Sequence, residues 1–322
     1  MIIVTGANGF IGSALIWQLN QMGITDIIAV DTVDLSNRNV LQKRTYSHFF
    51  LAHELWSFLA DTETQKKVSW IFHMGACSST TEKNWDFLFE NNFRYSQRLF
   101  EWCSQYQKNL IYASSAATYG QGENGFDDTF DSDKLKPLNL YGESKVLMDR
   151  WALKQKATPQ NWYGLKFFNV FGPNEYEKGP MASVAFKAYH QIQKTENLGL
   201  FKSYNPQYKD GEQVRDFVYV KDVVRWMTEL MDKKPKSGLY NMGYGETRSW
   251  LDMAHALFKS LNKPAQINWL DMPDDIKNQY QYFTLAKMDK WKLQSLSDPQ
   301  WPLEKAIEDY VENYLTQKDP WL

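Results

Sequence analysis

A tyrosine and a lysine in the middle of this chain lie four residues apart and could together move a proton. In a helix, Tyr141 and Lys145 would share one face. An ammonium group beside a phenol favours the phenolate, so we expect the lysine to lower the tyrosine pKa from about 10 toward the range of a general acid or base. Tyr314 and Lys318 have the same spacing, so the surrounding elements must decide.

A serine upstream could hold the oxygen on which such a proton moves. Ser115 follows an apolar strand pattern at residues 110–113, and a hydroxyl at a strand end can hydrogen-bond a substrate hydroxyl or carbonyl. The alternative is that Ser114 and Ser115 only cap a turn. The residue types alone leave both interpretations open.

The N-terminal residues predict a unit that would bring a dinucleotide to these groups. The order is strand, glycine turn, helix, strand and acid: an apolar run at 2–4, Gly6, Gly9 and Gly12, a helical pattern at 11–19, a second run at 27–30, and Asp31. Glycines allow close approach of the backbone to a pyrophosphate, and the helix N terminus attracts its charge. Asp31 is placed to bond the adenosine ribose.

The same stretch leaves the choice of cofactor open. Asp31 favours a free ribose hydroxyl and therefore NAD. Arg38 lies seven residues later and could pair with the 2′-phosphate of NADP. The alternative for Arg38 is a solvated loop charge.

The length, composition, net charge and cysteine count exclude several other classes of protein. The 322 residues are 43% hydrophobic and 23% charged, as in a globular enzyme of one large or two closely joined domains. A net charge of -2 favours no nucleic-acid partner. Cys77 and Cys103 are too few for a disulfide framework. No membrane span, signal peptide or metal-ligand spacing is found, so we expect a cytoplasmic protein without a metal, with His73 as a structural histidine.

Strand and helix patterns continue to alternate, which predicts an α/β fold. Further strands are expected at 68–72, 110–113 and 163–168, and a helix begins near Tyr141. The predicted architecture is a Rossmann-type doubly wound parallel sheet with a smaller, discontinuous α/β substrate-binding domain. Residues 1–168 would bind the dinucleotide, residues 169–322 mainly the substrate, and the chain would return to the first domain at about 216–242.

Four ordered motifs resemble the extended short-chain dehydrogenase/reductases: GANGFIG at 6–12, HMGA at 73–76, SSAATYG at 114–120 and YGESK at 141–145. Further stretches resemble the ADP-glyceromanno-heptose 6-epimerase family: ACSSTTE at 76–82, PLNLYG at 137–142, FFNVFGPNEYEKGPMASVAF at 167–186 and RDFVYVKDV at 215–223. The resemblance implies epimerisation of ADP-D-glycero-β-D-manno-heptose at C6″ through transient oxidation by a tightly bound NADP or NAD. It also implies heptose supply for the lipopolysaccharide core and a homo-oligomer such as a homopentamer.

The resemblance carries functional roles onto matching positions. The catalytic residues it implies are Tyr141, Lys178, Ser115 and Lys145. The cofactor-binding residues it implies are Gly6, Gly9, Phe10, Ile11, Gly12, Asp31, Arg38, Gly75, Ala76, Asn92, Tyr141, Lys145 and Lys178. The substrate-binding residues we expect are Ser115, Asn169, Lys187, Phe201, Arg215 and Tyr280, with Arg215 at the diphosphate. For Phe201 and Tyr280, ordinary packing in the protein is the alternative.

The sequence departs from the family at several positions and leaves competing functions open. Pro180 and Lys187 stand where members often have Ser and His, and residues 205–214 form a longer stretch. Ala116 and Ala117 occupy positions that are acidic in sugar-nucleotide 4,6-dehydratases, which disfavours dehydration. The alternatives are a UDP-hexose 4-epimerase, a simple reductase, and a catalytically silent nucleotide-binding protein.

Overall fold

The computed structural model describes residues 1–37, 40–277 and 280–322. Its strands are β1 (Ile2–Thr5), β2 (Ile27–Asp31), β3 (His48–Leu51), β4 (Trp70–His73), β5 (Asn109–Ser115), β6 (Trp162–Phe167), β7 (Asn169–Phe171), β8 (Leu198–Phe201), β9 (Val214–Arg215), β10 (Phe217–Tyr219), β11 (Gly238–Met242), β12 (Arg248–Ser249) and β13 (Ile267–Leu270). Seven of them form one parallel sheet in the order β11-β6-β5-β4-β1-β2-β3. The predicted doubly wound parallel sheet is confirmed.

The helices follow the strands along the chain. They are α1 (Phe10–Gln21), α2 (Leu55–Ala60), α3 (Thr62–Lys67), α4 (Trp85–Leu88), α5 (Tyr95–Gln105), α6 (Leu140–Leu153), α7 (Val184–Thr195), α8 (Val220–Lys233), α9 (Trp250–Ser260), α10 (Asp274–Lys277), α11 (Asp289–Leu293) and α12 (Leu303–Tyr310). A π-helical stretch, Phe89–Arg94, joins α4 to α5. The helical segment from α4 to α5 therefore contains a wider turn.

The sheet is buried on both faces, which explains its nearly continuous apolar strands. In β1, Val4 packs into the core that includes Leu15 of α1 and Trp226 of α8. Ile3, which points to the other face, packs with Phe100 of α5. Helices on both sides thus fix the sheet from which the site is built.

The second half of the chain adds three small sheets and returns once to the large one. The pairs are β7 with β10, β8 with β13, and β9 with β12. Within 216–242, β10 pairs with β7 outside the seven-stranded sheet, whereas β11 joins that sheet beside β6 and α8 packs on α1. Strand β11 therefore lies in the large sheet, next to β6.

The described part of the chain lacks two features that would indicate other kinds of protein. None of its helices has the length and apolar character needed to cross a membrane. Among the same residues, no group of three or more His, Cys, Asp or Glu side chains could hold a metal ion.

Candidate active site

A cavity of about 1420 Å³ opens at the carboxyl ends of the parallel strands. The strand order reverses between β1 and β4, and such a switch point leaves a crevice above the sheet. The cavity brings together most of the predicted site residues: Gly6, Gly9, Phe10, Ile11, Gly12, Asp31, Gly75, Ala76, Ser115, Tyr141, Lys145, Asn169 and Lys178. Residues that are far apart in the sequence therefore line the same cavity.

At the glycine turn, backbone segments approach one another so closely that a side chain would not fit between them. A Cβ atom added at Gly6, where φ is +65°, would lie 2.6 Å from the Gly75 nitrogen, and one at Gly12 would lie 2.0 Å from the Gly6 oxygen. Helix α1 then begins after Gly9, which provides no side-chain cap. The N–H groups of its first turn are left to face an anion. This cradle fits the pyrophosphate of a dinucleotide.

Asp31 ends β2 at the edge of the cavity and is held rigidly there. One carboxylate oxygen, Oδ2, accepts a hydrogen bond of 2.9 Å from the Asn8 N–H, and Oδ1 accepts bonds of 2.7 and 3.1 Å from the Thr32 and Val33 N–H groups. Such a fixed acceptor fits a ribose hydroxyl. Arg38, the residue expected to favour NADP, lies outside the described residues.

Tyr141 and Lys145 lie on one face of α6, as their spacing predicts. The helix begins beyond Asn139, whose side chain accepts a hydrogen bond of 2.8 Å from the Gly142 N–H and so satisfies one orphan donor of the first turn. The Lys145 ammonium donates a hydrogen bond of 2.9 Å to the Ala113 carbonyl and lies 6.0 Å from the Tyr141 ring centroid. Both side chains are buried.

The expected lowering of the Tyr141 pKa by Lys145 is not observed. Burial raises the pKa of Tyr141, and a hydrogen bond with Ser115 offsets part of this effect. Burial also lowers the pKa of Lys145 to about 8, against the opposing charge of Asp149. Desolvation disfavours both the phenolate and the ammonium, and the ammonium is directed at Ala113. Near neutral pH, Tyr141 is therefore a neutral phenol that can donate a proton.

Ser115 combines the two roles that its sequence left open. Its hydroxyl oxygen accepts a hydrogen bond of 3.1 Å from the Ala117 N–H, which caps the short turn Ala116–Tyr119. The same side chain bonds Tyr141 and lines the cavity. Ser115 thus caps the turn and also faces the space in which a substrate oxygen could lie.

A buried ion pair beneath this serine was not found from the sequence. Asp149 accepts hydrogen bonds from Lys166 at 2.8 Å and from the Ser114 hydroxyl at 2.7 Å. Lys166 also donates to the Thr118 hydroxyl at 2.8 Å, which in turn donates to the Ser115 carbonyl at 2.8 Å. Asp149 and Lys166 are 17 residues apart in the sequence, and no helix or strand spacing signals that they pair. Through its hydrogen bonds with Ser114 and Thr118, the pair fixes the chain on both sides of Ser115.

Removing the positive half of this pair is expected to destabilise the protein. Lys166 and Asp149 are 1% and 0% exposed, so Lys166→Met leaves a buried carboxylate without its cation, at a cost of about 3–5 kcal/mol in the free energy of unfolding. Urea unfolding measures this loss. The matched control is Lys154→Met, which breaks the exposed pair with Asp133 and should cost less than about 1 kcal/mol. Equal losses would show that the buried pair contributes no more than a surface pair.

Lys178 reaches the cavity from the second half of the chain. It lies in the 3₁₀ turn Tyr176–Met181, and its ammonium is 5.2 Å from the ring centroid of Phe10 in the glycine turn. Burial lowers the pKa of Lys178, the nearby Glu175 carboxylate opposes this effect, and Lys187 adds to it. A second titratable group therefore faces the same cavity as Tyr141.

Asn92 lies behind the cavity wall. Its amide oxygen accepts a hydrogen bond of 2.8 Å from the Cys77 N–H, and its amide nitrogen donates to the Cys77 carbonyl at 3.0 Å and the Ser144 hydroxyl at 2.9 Å. These bonds use the side chain to hold the loop after β4, so that Cys77 lines the cavity and Asn92 does not. Asn92 can thus affect a cofactor through the shape of this loop.

The predicted substrate residues other than Ser115 and Asn169 are absent from the cavity wall. Arg215 is 7% exposed, and its guanidinium carbon lies 5.4 and 5.3 Å from the ring centroids of Trp250 and Tyr280. Phe201 is linked to this cluster through its carbonyl, which accepts a 3.4 Å hydrogen bond from Gln213. Lys187 donates to the carbonyl of Pro180, a residue of the Lys178 turn, at 2.5 Å.

This aromatic cluster continues into the cavity through the chain segment that follows Tyr280. Gln281 and Thr284 line the cavity, and Gln281 donates a 2.6 Å hydrogen bond to the Gly120 carbonyl. No carboxylate in the described part of the chain forms an ion pair with Arg215. A buried cation lacking an acidic partner suits an anionic ligand.

His73 has the structural role expected from the sequence. Its Nδ1 lies 2.6 Å from the Thr5 hydroxyl and its Nε2 lies 2.9 Å from the Ser96 hydroxyl. Burial, with a smaller effect of Lys145, lowers the pKa of His73 to about 3. The imidazole is therefore neutral at physiological pH and joins β1 to α5.

Comparisons with known proteins agree with this geometry. The model of the NAD dependent epimerase/dehydratase family matches residues 2–243. A relative from Fusobacterium nucleatum named ADP-L-glycero-D-manno-heptose-6-epimerase is 45% identical over 332 aligned positions that cover all of both chains. The solved structure of the Helicobacter pylori protein of that name has a TM-score of 0.76 and 25% identity, and the match covers 97% of this chain and 95% of that one. UDP-glucuronic acid 4-epimerase from Bacillus cereus, solved with NAD, has a TM-score of 0.78 and 23% identity and covers 99% of its own length and 100% of this chain.

Proposed function

Because the chain belongs to the NAD dependent epimerase/dehydratase family, we propose that it converts ADP-D-glycero-β-D-manno-heptose to ADP-L-glycero-β-D-manno-heptose. The observation that carries this proposal is one cavity lined by the glycine cradle and by two proton-transfer groups, Tyr141 and Lys178. The full-length relative from Fusobacterium nucleatum supports the choice of substrate. The product would supply heptose for the lipopolysaccharide core.

The cofactor proposed for this site is a tightly bound NADP, with NAD as the alternative. Gly6 and Gly12 give the backbone approach that a pyrophosphate needs, and Asp31 is fixed where a ribose hydroxyl would lie. Arg38 is the residue assigned to the 2′-phosphate that distinguishes NADP from NAD. Lys145 would bond the nicotinamide ribose, since its ammonium lies at the floor of the cavity beside Tyr141.

Two acid–base groups suit a reaction that inverts one carbon of a sugar. When bound, an oxidised nicotinamide would supply reversible hydride transfer, so that C6″ passes through a ketone and regains its hydrogen on the opposite face. Either Tyr141 or Lys178 takes the proton of the C6″ hydroxyl, and the other group donates a proton when the carbonyl is reduced again. Ser115 would hold the reacting oxygen beside Tyr141.

The nucleotide end of the substrate is assigned to the aromatic cluster around Arg215. The guanidinium would pair with the diphosphate, because its side chain is buried between Trp250 and Tyr280. Phe201 and Tyr280 would pack against the adenine or the sugar, and Asn169 would contact the sugar from the cavity wall. Lys187, which donates to the Pro180 carbonyl in the Lys178 turn, would act on the substrate from that turn rather than from the Arg215 cluster.

The proposal keeps the domain division and the assembly expected from the sequence. Residues 1–168 would bind the dinucleotide and residues 169–322 mainly the ADP-sugar, with the return at about 216–242. The protein would work in the cytoplasm as a homo-oligomer, for which a pentamer is the specific proposal.

Proton NMR in deuterated water tests the reaction. The purified protein is incubated with ADP-D-glycero-β-D-manno-heptose without added cofactor, and the nucleotide released by denaturation is identified by chromatography. We expect the L-glycero epimer with C6″ still protonated, and NADP in the extract. Conversion of a UDP-hexose in its place would change the substrate assignment, and incorporation of deuterium at C6″ would contradict direct hydride return. Full activity of nucleotide-free protein would contradict a resident cofactor.

A further inference from the structure

The carboxylate of Glu175 is completely buried beside the turn that carries Lys178. A buried carboxylate is costly unless its oxygens are hydrogen-bonded. Here, four donors reach it: the Gly172 N–H at 3.1 Å, the Ser183 N–H at 2.5 Å, the Ser183 hydroxyl at 2.8 Å and the Tyr310 hydroxyl at 3.1 Å. These four hydrogen bonds fix a side chain that lies three residues before Lys178 in the sequence.

The donors lie on both sides of the turn. Gly172 precedes it and Ser183 follows it at the N-cap of α7, so one side chain closes the loop of chain that contains Lys178. Inside the loop, the Lys178 N–H donates a 3.0 Å hydrogen bond to the Glu175 carbonyl. Gly179 follows with φ +54°, where the chain reverses. Tyr310 ties the same carboxylate to α12.

The charge of Glu175 also acts on the lysine. Burial lowers the Lys178 pKa, Glu175 opposes that effect, and Lys187 from α7 reinforces it. Phe10 of α1 presents only an aromatic face to the ammonium. On the carboxylate side, burial raises the Glu175 pKa, while its hydrogen bonds and Lys178 lower it, and the phenols of Tyr176 and Tyr310 are its other titratable neighbours.

We infer that Glu175 is a positioning residue for Lys178: its carboxylate bonds the chain before and after the turn that presents the ammonium to the cavity, and its negative charge favours the ammonium against the effect of burial. The inference rests on the acid–base role proposed for Lys178. The buried carboxylate is fixed between Gly172 and Ser183, one on each side of the turn. No ligand is needed for this function, since every donor belongs to the chain.

The test compares the pH dependence of kcat for epimerisation in wild type, Glu175→Gln, Glu175→Asp and Tyr310→Phe. Glu175→Gln removes the charge at constant size, so we expect kcat to fall at least about tenfold. The ionisation assigned to Lys178 should move to lower pH by about one pH unit, because loss of a neighbouring negative charge disfavours the ammonium. Tyr310→Phe removes one hydrogen bond and keeps the charge, so its profile should stay in place.

Glu175→Asp tests the inference even if the glutamine variant does not fold. The shorter side chain keeps its charge but cannot reach Gly172 and Ser183 together, so kcat should fall while KM and the pH profile stay close to wild type. An unchanged kcat in Glu175→Asp, or a kcat loss in Glu175→Gln with an unmoved profile, would overturn the inference alone. Activity of Lys178→Met equal to wild type would overturn the proposed acid–base role and this inference together.

Discussion

Replacing Tyr141 by Phe is expected to lower kcat for epimerisation by about 10²–10⁴-fold, the usual contribution of a positioned acid–base group. The phenol hydroxyl is the only atom removed, and it is the atom that bonds Ser115 within the cavity. Phenylalanine can neither donate nor accept a proton, so the loss is that of one of the two proposed acid–base groups. The rate is measured by proton NMR with saturating ADP-heptose.

Two controls separate this chemical effect from a structural one. Tyr314→Phe is the matched substitution at the other tyrosine that lies four residues before a lysine; Tyr314 does not line the cavity, so kcat should remain within about twofold of wild type, well short of the acid–base contribution. The amount of nucleotide released on denaturation should be the same in both variants. Wild-type kcat in Tyr141→Phe would remove this tyrosine from the chemistry.

The parts of the site that were predictable from the sequence are those set by local spacing. The glycine turn, Asp31 and the helix beginning near Tyr141 each depend on residues within about one turn or one strand of each other, so their pattern survives in the linear chain. A strand at β11 was predictable because a short apolar run between turns is typical of a buried parallel strand. These features were sufficient to predict the glycine turn and the acid that lies near it.

The remaining features depend on contacts between distant segments. The direction of the Tyr141 pKa is set by burial, which no spacing between Tyr141 and Lys145 reveals. Asp149 meets Lys166 from a helix and a neighbouring strand. Glu175 meets Tyr310 across 135 positions of sequence. Buried polar groups of this kind look like surface residues until the fold gives them partners.

Replacing Lys178 by Met is also expected to lower kcat by about 10²–10⁴-fold. Met retains most of the aliphatic stem, and therefore the packing against Phe10, but it can neither donate nor accept a proton. Since Tyr141 remains in place, any substantial loss must come from the second group that faces the cavity. The control is Lys194→Met, on the exposed side of the last turn of α7, which should leave kcat unchanged.

The double variant Tyr141→Phe with Lys178→Met decides whether the two groups serve one catalytic cycle. If one group removes the hydroxyl proton and the other returns it, loss of either already stops the cycle. The double variant should then be little slower than the slower single one, because groups that act as a unit are not additive. Losses that multiply would instead indicate two independent contributions, and a Lys178→Met enzyme with wild-type kcat would leave Tyr141 as the sole acid–base group.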